Sequence, residues 1–484
     1  MSNYHSQEQT IYRNLSGKIQ MGFYDDEKRF PSAKQIARQF QVSYCPAQRA
    51  LKMLESDGLI KLCRGSATTV LNKPYDNYLE SDIFKRRRRS LLDLCQSLEL
   101  ISPALCLYII QHAGKTFSSP RYQKVFMGRH AGRDLYQQFE QTLLQFGNQT
   151  VLSLYYDISS FSGSAFLDIL YLKYGKEKAD SLLKKITLEY TDYLQTKPKD
   201  TAGFPKEKLE RLGTLFFHSI EEFLKNTESG NCPGSGSPDV FSWEPRKGRI
   251  RYCDIVAIDL ICKINQNVYP VGVRLPGSPA LADIYHISEI TARRTISLLN
   301  KLDITETVNG VGTFVVSRGG SEIPYKLKDL TLDDNLRVFL EALQILAVIS
   351  EPVMLASFPH VPREMLEDLY SAASMPDETN SMVHTISIGL QAVVRYCPLA
   401  AIQDIYSKLT LLLLRGSILR LDKTGSEPVA GWSSISSSIR SGCVRADYNE
   451  LARAFRTLFE RNFTSAKKEL LEIGVEGAEH ISGF

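Results

Sequence analysis

Two pairs of polar residues, Gln48-Arg49 and Arg293-Arg294, stand 245 positions apart in this chain. A glutamine carboxamide can form two hydrogen bonds with an adenine edge, and an arginine guanidinium can do the same with guanine. The arginine that follows each of them suits phosphate oxygens. These side chains bind by hydrogen bonding and charge, so the chemistry they indicate is recognition of a polyanion.

The sequence around these pairs repeats with the same shift. RFPSAKQIARQFQVS at residues 29–43 and RLPGSPALADIYHIS at residues 274–288 align without a gap. The shift carries Ile36 to Leu281 and Phe40 to Tyr285, so the apolar positions keep their helical spacing. A gap-free repeat of this kind indicates a duplicated unit.

The first repeat, residues 1–74, predicts three helices and a β-hairpin. QTIYRNLSGKIQMG has apolar residues at i, i+4 spacing, and Pro31-Ser32 opens a second helix, AKQIARQF. Ser43 is a natural N-cap for the third helix, in which Pro46 falls in the first turn. LIKLCRGSATTV then predicts two short strands around Gly65. This order is that of a winged helix-turn-helix.

The second repeat, residues 248–318, predicts the same order of elements. YCDIVAIDLICKI, SPALADIYH and EITARRTISLLNKLD are its helices, and the third begins after Ser288. ITETVNGVGTFVV supplies a hairpin with a glycine-bearing turn. We therefore expect two winged helices in one chain.

The rest of the chain predicts helical domains, so the expected fold class is mainly α. Residues 75–228 form helical domain 1 and residues 319–484 form helical domain 2, since both show helical periodicity. Residues 229–247 are rich in Gly, Ser and Pro, which indicates a flexible linker.

Charge supports this division of the chain. The net charge is +4, yet residues 1–74 hold 11 Lys and Arg against 6 Asp and Glu, and residues 246–318 hold 10 against 6. Positive charge on the two repeats is expected if they meet a polyanion. The alternative is that such excesses are common on small domains.

Other classes of protein find little support. The nine cysteines show no C-x-x-C pair, and the N-terminus has no apolar signal core. No apolar run approaches the roughly 18 residues needed to span a bilayer, so we expect a cytoplasmic protein. The absence of a phosphate loop, a nucleophile elbow or HExxH predicts that it is not an enzyme and has no cofactor. Single histidines without partner spacing predict no metal site: His112, His130, His218, His360 and His384.

Both repeats resemble the DNA-binding domain of the GntR family of bacterial transcription regulators. The matching residues are PSAKQIA, VSYCPAQRAL, GLI and GSATTV in the first repeat, and PGSPALA, ISEITARRTI, DIT and GVGTFV in the second. The resemblance covers about 70 residues each time and implies contacts with double-stranded DNA. In the first repeat it assigns them to Lys34, Ser43, Tyr44, Gln48, Arg49, Arg64, Gly65 and Thr68. In the second it assigns them to Ser288, Thr291, Arg293, Arg294, Asn309, Gly310, Gly312 and Thr313.

The second repeat departs from the family pattern at two places. Pro279 stands where the first repeat has Lys34, and Glu289 stands where the family has an arginine. Glu289 either caps the helix or accepts a hydrogen bond from cytosine. Arg293 and Arg294 either contact DNA or lie on a solvated helix face, and Tyr44 is either a contact or a partly buried aromatic residue.

We therefore expect a transcription regulator that binds an operator through two winged helices of one chain. The family resemblance implies that the helical domains sense a small-molecule effector or mediate homodimerisation. The basic run from Arg86 to Arg89 binds phosphate or an acidic metabolite, or is the solvated start of a helix. The alternative function is a protein-interaction scaffold in which one or both winged helices have lost DNA binding.

Overall fold

The chain folds into two compact units in the computed structural model. The described residues are 7–20, 23–24, 30–40, 42–63, 68–71, 78–112, 131–196, 206–226, 238–245, 252–265, 267–316, 333–414, 416 and 430–484. One unit comprises residues 1–248 and 399–405, and the other comprises residues 249–398 and 406–484. Each unit is mainly helical and contains one two-stranded sheet, so the expected predominance of helix is confirmed.

The first repeat begins the first unit. Its elements are α1 (Gln7–Gln20), α2 (Ala33–Gln39), α3 (Tyr44–Ser56), β1 (Ile60–Lys61) and β2 (Thr69–Val70). The apolar face of α1, formed by Ile11, Leu15 and Ile19, packs in one core with Ile36 of α2 and Leu54 of α3. The strands pair antiparallel, with Ile60 opposite Val70.

Local sequence explains where these helices begin. The hydroxyl of Ser32 accepts the backbone N–H of Gln35, and the Gln35 carboxamide accepts the N–H of Ser32, which makes a capping box at α2. Ser43 is the N-cap residue of α3, and Pro46 lies buried in the first turn, where its missing N–H costs little. Gly58 has a φ of +70° and lets the chain turn from α3 into β1.

Helical domain 1 follows the first repeat. Its helices are α4 (Asp82–His112), α5 (Ala131–Phe146), α6 (Gln149–Ser162), α7 (Ala165–Tyr174), α8 (Lys176–Thr196) and α9 (Lys206–Asn226). α4 packs against α9, and α5 packs against α8. Leu91, Ile169, Leu183 and Ile220 are fully buried in their shared core.

Residues 238–245 bind to the surface of helical domain 1. The side chains of Phe241 and Trp243 are buried, and the backbone N–H of Phe241 donates to the Ser90 hydroxyl at 2.8 Å. The backbone N–H of Glu244 donates to Asp157 at 2.9 Å. The predicted linker, residues 229–247, therefore includes an ordered segment; positions 229–237 and 246–247 lie outside the described residues.

The second repeat opens the second unit, and its elements fall almost where a shift of 245 residues places them. They are α10 (Tyr252–Asn265), α11 (Ser278–Tyr285), α12 (Glu289–Lys301), β3 (Thr305–Val308) and β4 (Gly312–Val315). The buried face of α10, Val256, Leu260 and Ile264, corresponds residue by residue to that of α1. After the shift the first and third helices have equal bounds and α1 and α10 bury equivalent positions, which indicates similar local packing of the helices in the two repeats.

The hairpin of the second repeat pairs with the segment before α11 through one β-bridge. An isolated antiparallel bridge joins Arg274 to Phe314 of β4. The backbone N–H of Gly272 donates to the carbonyl of Val315 at 2.7 Å, and that of Leu275 donates to Thr313 at 2.8 Å. The segment before α11 is thereby fixed against β4.

Helical domain 2 completes the second unit. Its helices are α13 (Asp333–Ser357), α14 (Arg363–Ala372), α15 (Glu378–Tyr396), α16 (Ala400–Leu413), α17 (Trp432–Arg445) and α18 (Tyr448–Ile473). Of α16, only the part from Tyr406 onwards belongs to the second unit. α18 packs along α13 and α17, and it buries Phe455, Phe459 and Phe463 completely.

Two described helices are long and apolar enough to cross a membrane by length and composition alone. They lie within residues 82–112 and 336–360, with mean hydropathies of 1.3 and 1.8. Both contribute buried residues to the helical domains, as core helices of globular proteins do. These two helices are weak indications of a membrane span.

Candidate DNA interface

The third helix of the first repeat has one buried and one exposed face. Ala47, Ala50, Leu51 and Leu54 face the core of the repeat. The opposite face exposes Tyr44, Cys45, Gln48, Arg49 and Lys52. In a helix-turn-helix protein this is the face that enters the major groove, with N-terminal residues nearest the base edges.

Tyr44 and Gln48 lie at the N-terminal end of that exposed face. The Tyr44 side chain is 53% exposed, so it is a surface residue rather than part of the core. The guanidinium of Arg49 lies 3.4 Å from the Glu8 carboxylate of α1, and its side chain is 62% exposed. Exposed ion pairs contribute little free energy. This pair therefore leaves Arg49 able to exchange Glu8 for a phosphate.

Lys34 lies near the start of α2, and Ser43 ends the turn that joins α2 to α3. Lys34 is exposed in the first turn of α2. Ser43 is exposed, and its hydroxyl makes no capping hydrogen bond with its own helix. Both side chains are therefore accessible to solvent.

The hairpin residues of the first repeat are only partly described. Arg64 and Gly65 lie outside the described residues, and Thr68 is half-buried just before β2. Lys61, opposite Thr69 in the register, exposes its side chain on β1.

α12 of the second repeat has the burial pattern of α3. Ala292, Thr295, Leu298 and Leu299 are buried. The opposite face exposes Glu289, Ile290, Arg293, Arg294 and Ser297. Arg293 therefore occupies the place of Gln48, and Ile290, whose side chain is 64% exposed, occupies that of Cys45.

Glu289 and Arg293 form an ion pair on the exposed face of α12. The guanidinium lies 3.4 Å from the carboxylate one helical turn earlier, and the two side chains, arginine first, are 69% and 45% exposed. The carboxylate thus orients Arg293 towards the N-terminal end of the helix. An ion pair this exposed contributes little free energy, so Arg293 can exchange Glu289 for another partner, as Arg49 can exchange Glu8.

Ser288 and Thr291 are engaged with each other. The Ser288 hydroxyl accepts the backbone N–H of Thr291 at 3.2 Å, and the two hydroxyl oxygens lie 2.8 Å apart. Ser288 therefore caps α12, with Thr291 as its partner.

The hairpin turn of the second repeat exposes Asn309 and Gly310. Gly310 has a φ of +78°, which favours glycine, and an added Cβ there would meet open space. Gly312 lies against the side chain of Arg274, whose Nε would overlap an added Cβ. Thr313 is 6% exposed, and its hydroxyl lies 2.9 Å from that of Thr307. The Thr313 side chain therefore faces the interior of the repeat, away from the predicted contact surface.

Three exposed residues were not predicted from the sequence. Arg274 covers the hairpin glycine, and Cys45 and Ile290 lie between predicted contacts on their helices. The shift of 245 residues could have drawn attention to these positions, because it aligns Arg274 with Arg29 and Ile290 with Cys45.

The basic run on α4 is partly used inside the first unit. The guanidinium of Arg87 lies 3.3 Å from the Asp239 carboxylate and donates to the Phe161 carbonyl at 3.0 Å. It also lies over the Phe161 ring, 4.9 Å from its centroid. Arg87 therefore holds the segment 238–245 in place, whereas Arg89 points to solvent.

Metal-ligand residues are not clustered in the described part of the chain. No group of three or more His, Cys, Asp and Glu side chains there has the geometry to hold an ion. His130 lies outside the described residues.

Comparison with known proteins identifies the family that the first repeat matches. Residues 7–70 match the family model of bacterial regulatory proteins, gntR family. Comparison with curated proteins found no match. Among solved structures, Streptococcus agalactiae GntR is 17% identical over 44% of this chain and 99% of that chain, with a TM-score of 0.21. By the match to the family model, residues 7–70 form a GntR-family helix-turn-helix domain, the DNA-binding domain of a transcription regulator.

Proposed function

We propose that this chain is a transcription regulator that reads duplex DNA through two winged helices, one in each repeat. The observation that carries the proposal is the shift of 245 residues, which superimposes the bounds of α1 on α10 and of α3 on α12. The same shift matches buried positions such as Leu15 with Leu260. A common core and a common exposed face support a common mode of docking.

The exposed faces of α3 and α12 differ in chemistry, so the two half-sites should differ. Gln48 suits an adenine edge, and Arg293, oriented by Glu289, suits a guanine edge. Two winged helices in one chain would replace the usual pair of half-site readers, about one helical turn apart on DNA. The preferred operator is then an imperfect palindrome or an asymmetric site.

Phosphate contacts would come from residues beside the recognition helices. Arg49 and Lys52 in the first repeat, and Arg294 in the second, are exposed next to the base-reading positions. Arg274 and the backbone of Asn309 and Gly310 would contact the DNA flank from the hairpin. In this proposal the helical domains sense a small-molecule effector or mediate dimerisation, and the protein works in the cytoplasm, where the operator lies.

Selection of bound duplexes from a random library tests the proposal. The full chain should enrich one sequence class, and its affinity should fall with salt with a log–log slope of about −0.9 per phosphate neutralised. Lys52→Ala should reduce the magnitude of that slope by about 0.9, the contribution of one phosphate contact. Lys178→Ala, which removes an equally exposed charge from α8, should leave the slope unchanged. Failure to retain any duplex at low salt would overturn the proposal.

A protein-interaction scaffold is the second candidate, and one observation favours it for the second repeat. Ile284 and Ile290 are 54% and 64% exposed on α11 and α12, and Pro279 replaces the basic residue of the first repeat. An apolar surface of this kind suits a protein partner better than phosphate. The salt series separates the two candidates, because only DNA binding has the steep slope.

A further inference from the structure

The ammonium group of Lys18, in the first repeat, contacts helical domain 1. Lys18 lies in the last turn of α1, and its Nζ is 2.8 Å from the Glu140 carboxylate of α5. The two side chains are 7% and 10% exposed. This ion pair between the first repeat and helical domain 1 is therefore almost completely removed from water.

Two tyrosine rings complete the surroundings of this ammonium. The centroids of Tyr136 and Tyr156 both lie 5.7 Å from Lys18 Nζ. Tyr136 precedes Glu140 by one turn of α5, and Tyr156 belongs to α6. A carboxylate combined with aromatic faces within 6 Å is the chemistry by which proteins bind organic cations. We call Glu140, Tyr136 and Tyr156 the cage.

The electrostatics of the cage favour a cation. Burial, with a further contribution from the Glu140 charge, raises the pKa of Tyr136 and of Tyr156 well above its usual range. Both rings therefore stay neutral, and Glu140 supplies the negative charge that an ammonium requires.

A buried amide side chain that does not bind Lys18 lies next to the cage. Asn14 lies one turn before Lys18 on α1 and is 3% exposed. Neither its amide nitrogen nor its oxygen finds a hydrogen-bond partner among the described residues.

The second repeat shows that its fold does not impose this arrangement. Lys263, at the position of Lys18, pairs with Asp259 at 2.9 Å and lies over the Tyr285 ring at 5.0 Å. Both partners belong to the second repeat, and the lysine side chain is 34% exposed. Asp259 corresponds to Asn14, so the first repeat lacks the carboxylate that satisfies the lysine within its own repeat.

We propose that Glu140, Tyr136 and Tyr156 form a binding site for primary alkylammonium compounds, which Lys18 occupies as an internal ligand. An alkylammonium that takes the place of Lys18 replaces one cation by another, so Glu140 is paired before and after the exchange. Lys18 then leaves, and α1 loses its buried anchor on helical domain 1. Resting on the proposed function, this exchange links an effector to the position of the first DNA-binding domain.

The n-butylammonium ion is the appropriate probe, because it reproduces the Lys18 side chain from Cβ to Nζ. Tethering gives Lys18 an effective concentration in the millimolar range, against which any free ligand competes. Titration calorimetry at constant ionic strength should therefore show at least tenfold tighter binding of the probe to Lys18→Ala than to the wild type. Lys263→Ala, the equivalent change in the second repeat, should bind like the wild type.

Two additional measurements test whether the charge of the probe and the carboxylate of the cage are both required. The Lys18→Ala/Glu140→Gln double variant should lose the tight binding, and neutral n-butanol should not replace the probe. If Lys18→Ala unfolds in buffer, the probe should restore its folded state and raise its thermal midpoint with concentration. A folded or unfolded Lys18→Ala chain that does not respond to the probe overturns the proposal.

Wild-type protein tests the displacement itself. Millimolar n-butylammonium should increase amide hydrogen exchange in residues 7–20 and leave residues 252–265 unchanged. Unchanged exchange in residues 7–20, up to the concentrations that saturate Lys18→Ala, would contradict displacement. No DNA is present in any of these experiments, so failure of the cage and failure of DNA reading are distinguishable.

Discussion

Lys18 and Lys263 occupy the same position in two repeats of the same local fold, yet they bind different parts of the protein. Lys18 pairs with Glu140 of helical domain 1, whereas Lys263 pairs with Asp259 on its own helix. Two residues differ at the lysine: position 14 is Asn where position 259 is Asp, and position 40 is Phe where position 285 is Tyr, whose hydroxyl accepts from Lys263 at 3.0 Å. The two repeats therefore bury equivalent core positions and differ on the surfaces that meet their surroundings.

Glu140→Gln should destabilise the first unit by about 3 kcal/mol, because it leaves the buried Lys18 ammonium without a counter-charge. Asp259→Asn is the matched control, and removing this half-exposed partner should cost less than about 1 kcal/mol. In urea, Trp243 fluorescence in a Trp432→Phe background reports unfolding of the first unit for Glu140→Gln. Trp432 fluorescence in a Trp243→Phe background reports unfolding of the second unit for Asp259→Asn. If both variants lose the same free energy of unfolding, burial does not strengthen the Lys18–Glu140 pair.

Cys45 offers a direct chemical probe of the first recognition helix. Its side chain is exposed beside Tyr44, so iodoacetamide should modify it readily, and a bound duplex should protect it. Burial raises the pKa of the Cys106 and Cys443 thiols to about 12, so at pH 8 their thiolate fraction is only about one in ten thousand. These two thiols should react slowly with or without DNA. Mass spectrometry of the alkylated peptides measures the protection. Unchanged alkylation of Cys45 in the presence of a saturating duplex would contradict the proposed interface.

Trp243 should hold the segment 238–245 on helical domain 1. Because the ring is completely buried, Trp243→Ala should destabilise the first unit by about 3–5 kcal/mol. Val240→Ala changes a side chain that is 67% exposed in the same segment and should change stability by less than about 0.5 kcal/mol. Urea denaturation followed by circular dichroism gives both values, and a Trp243→Ala loss as small as that of Val240→Ala would show that this segment is not anchored.

The sequence was sufficient to predict the local elements of both repeats. The i, i+4 spacing of Ile11, Leu15 and Ile19 predicted α1, and the same shift that aligns Pro31 with Pro276 reproduces the bounds of α12. These features depend on contacts within about 70 residues. Local periodicity and capping therefore contain most of the information that they need.

Contacts between distant segments were not predictable in this way. The pairing of Lys18 with Glu140 joins residues 122 positions apart, and no local pattern marks Glu140 as its partner. The inward direction of Thr313 depends on which face of β4 packs on the core. The burial of Trp243 within a predicted flexible linker likewise depends on a groove formed by distant helices.

Footprinting with two point variants tests the central claim most directly. On the operator selected by the full chain, Gln48→Ala should relax base preference in one half-site only, and Arg293→Ala should relax it in the other half only. This result would show that one chain reads DNA with both repeats. If Gln48→Ala weakens both halves equally while Arg293→Ala changes neither, two copies of the first repeat read the operator and the account of the second repeat is contradicted.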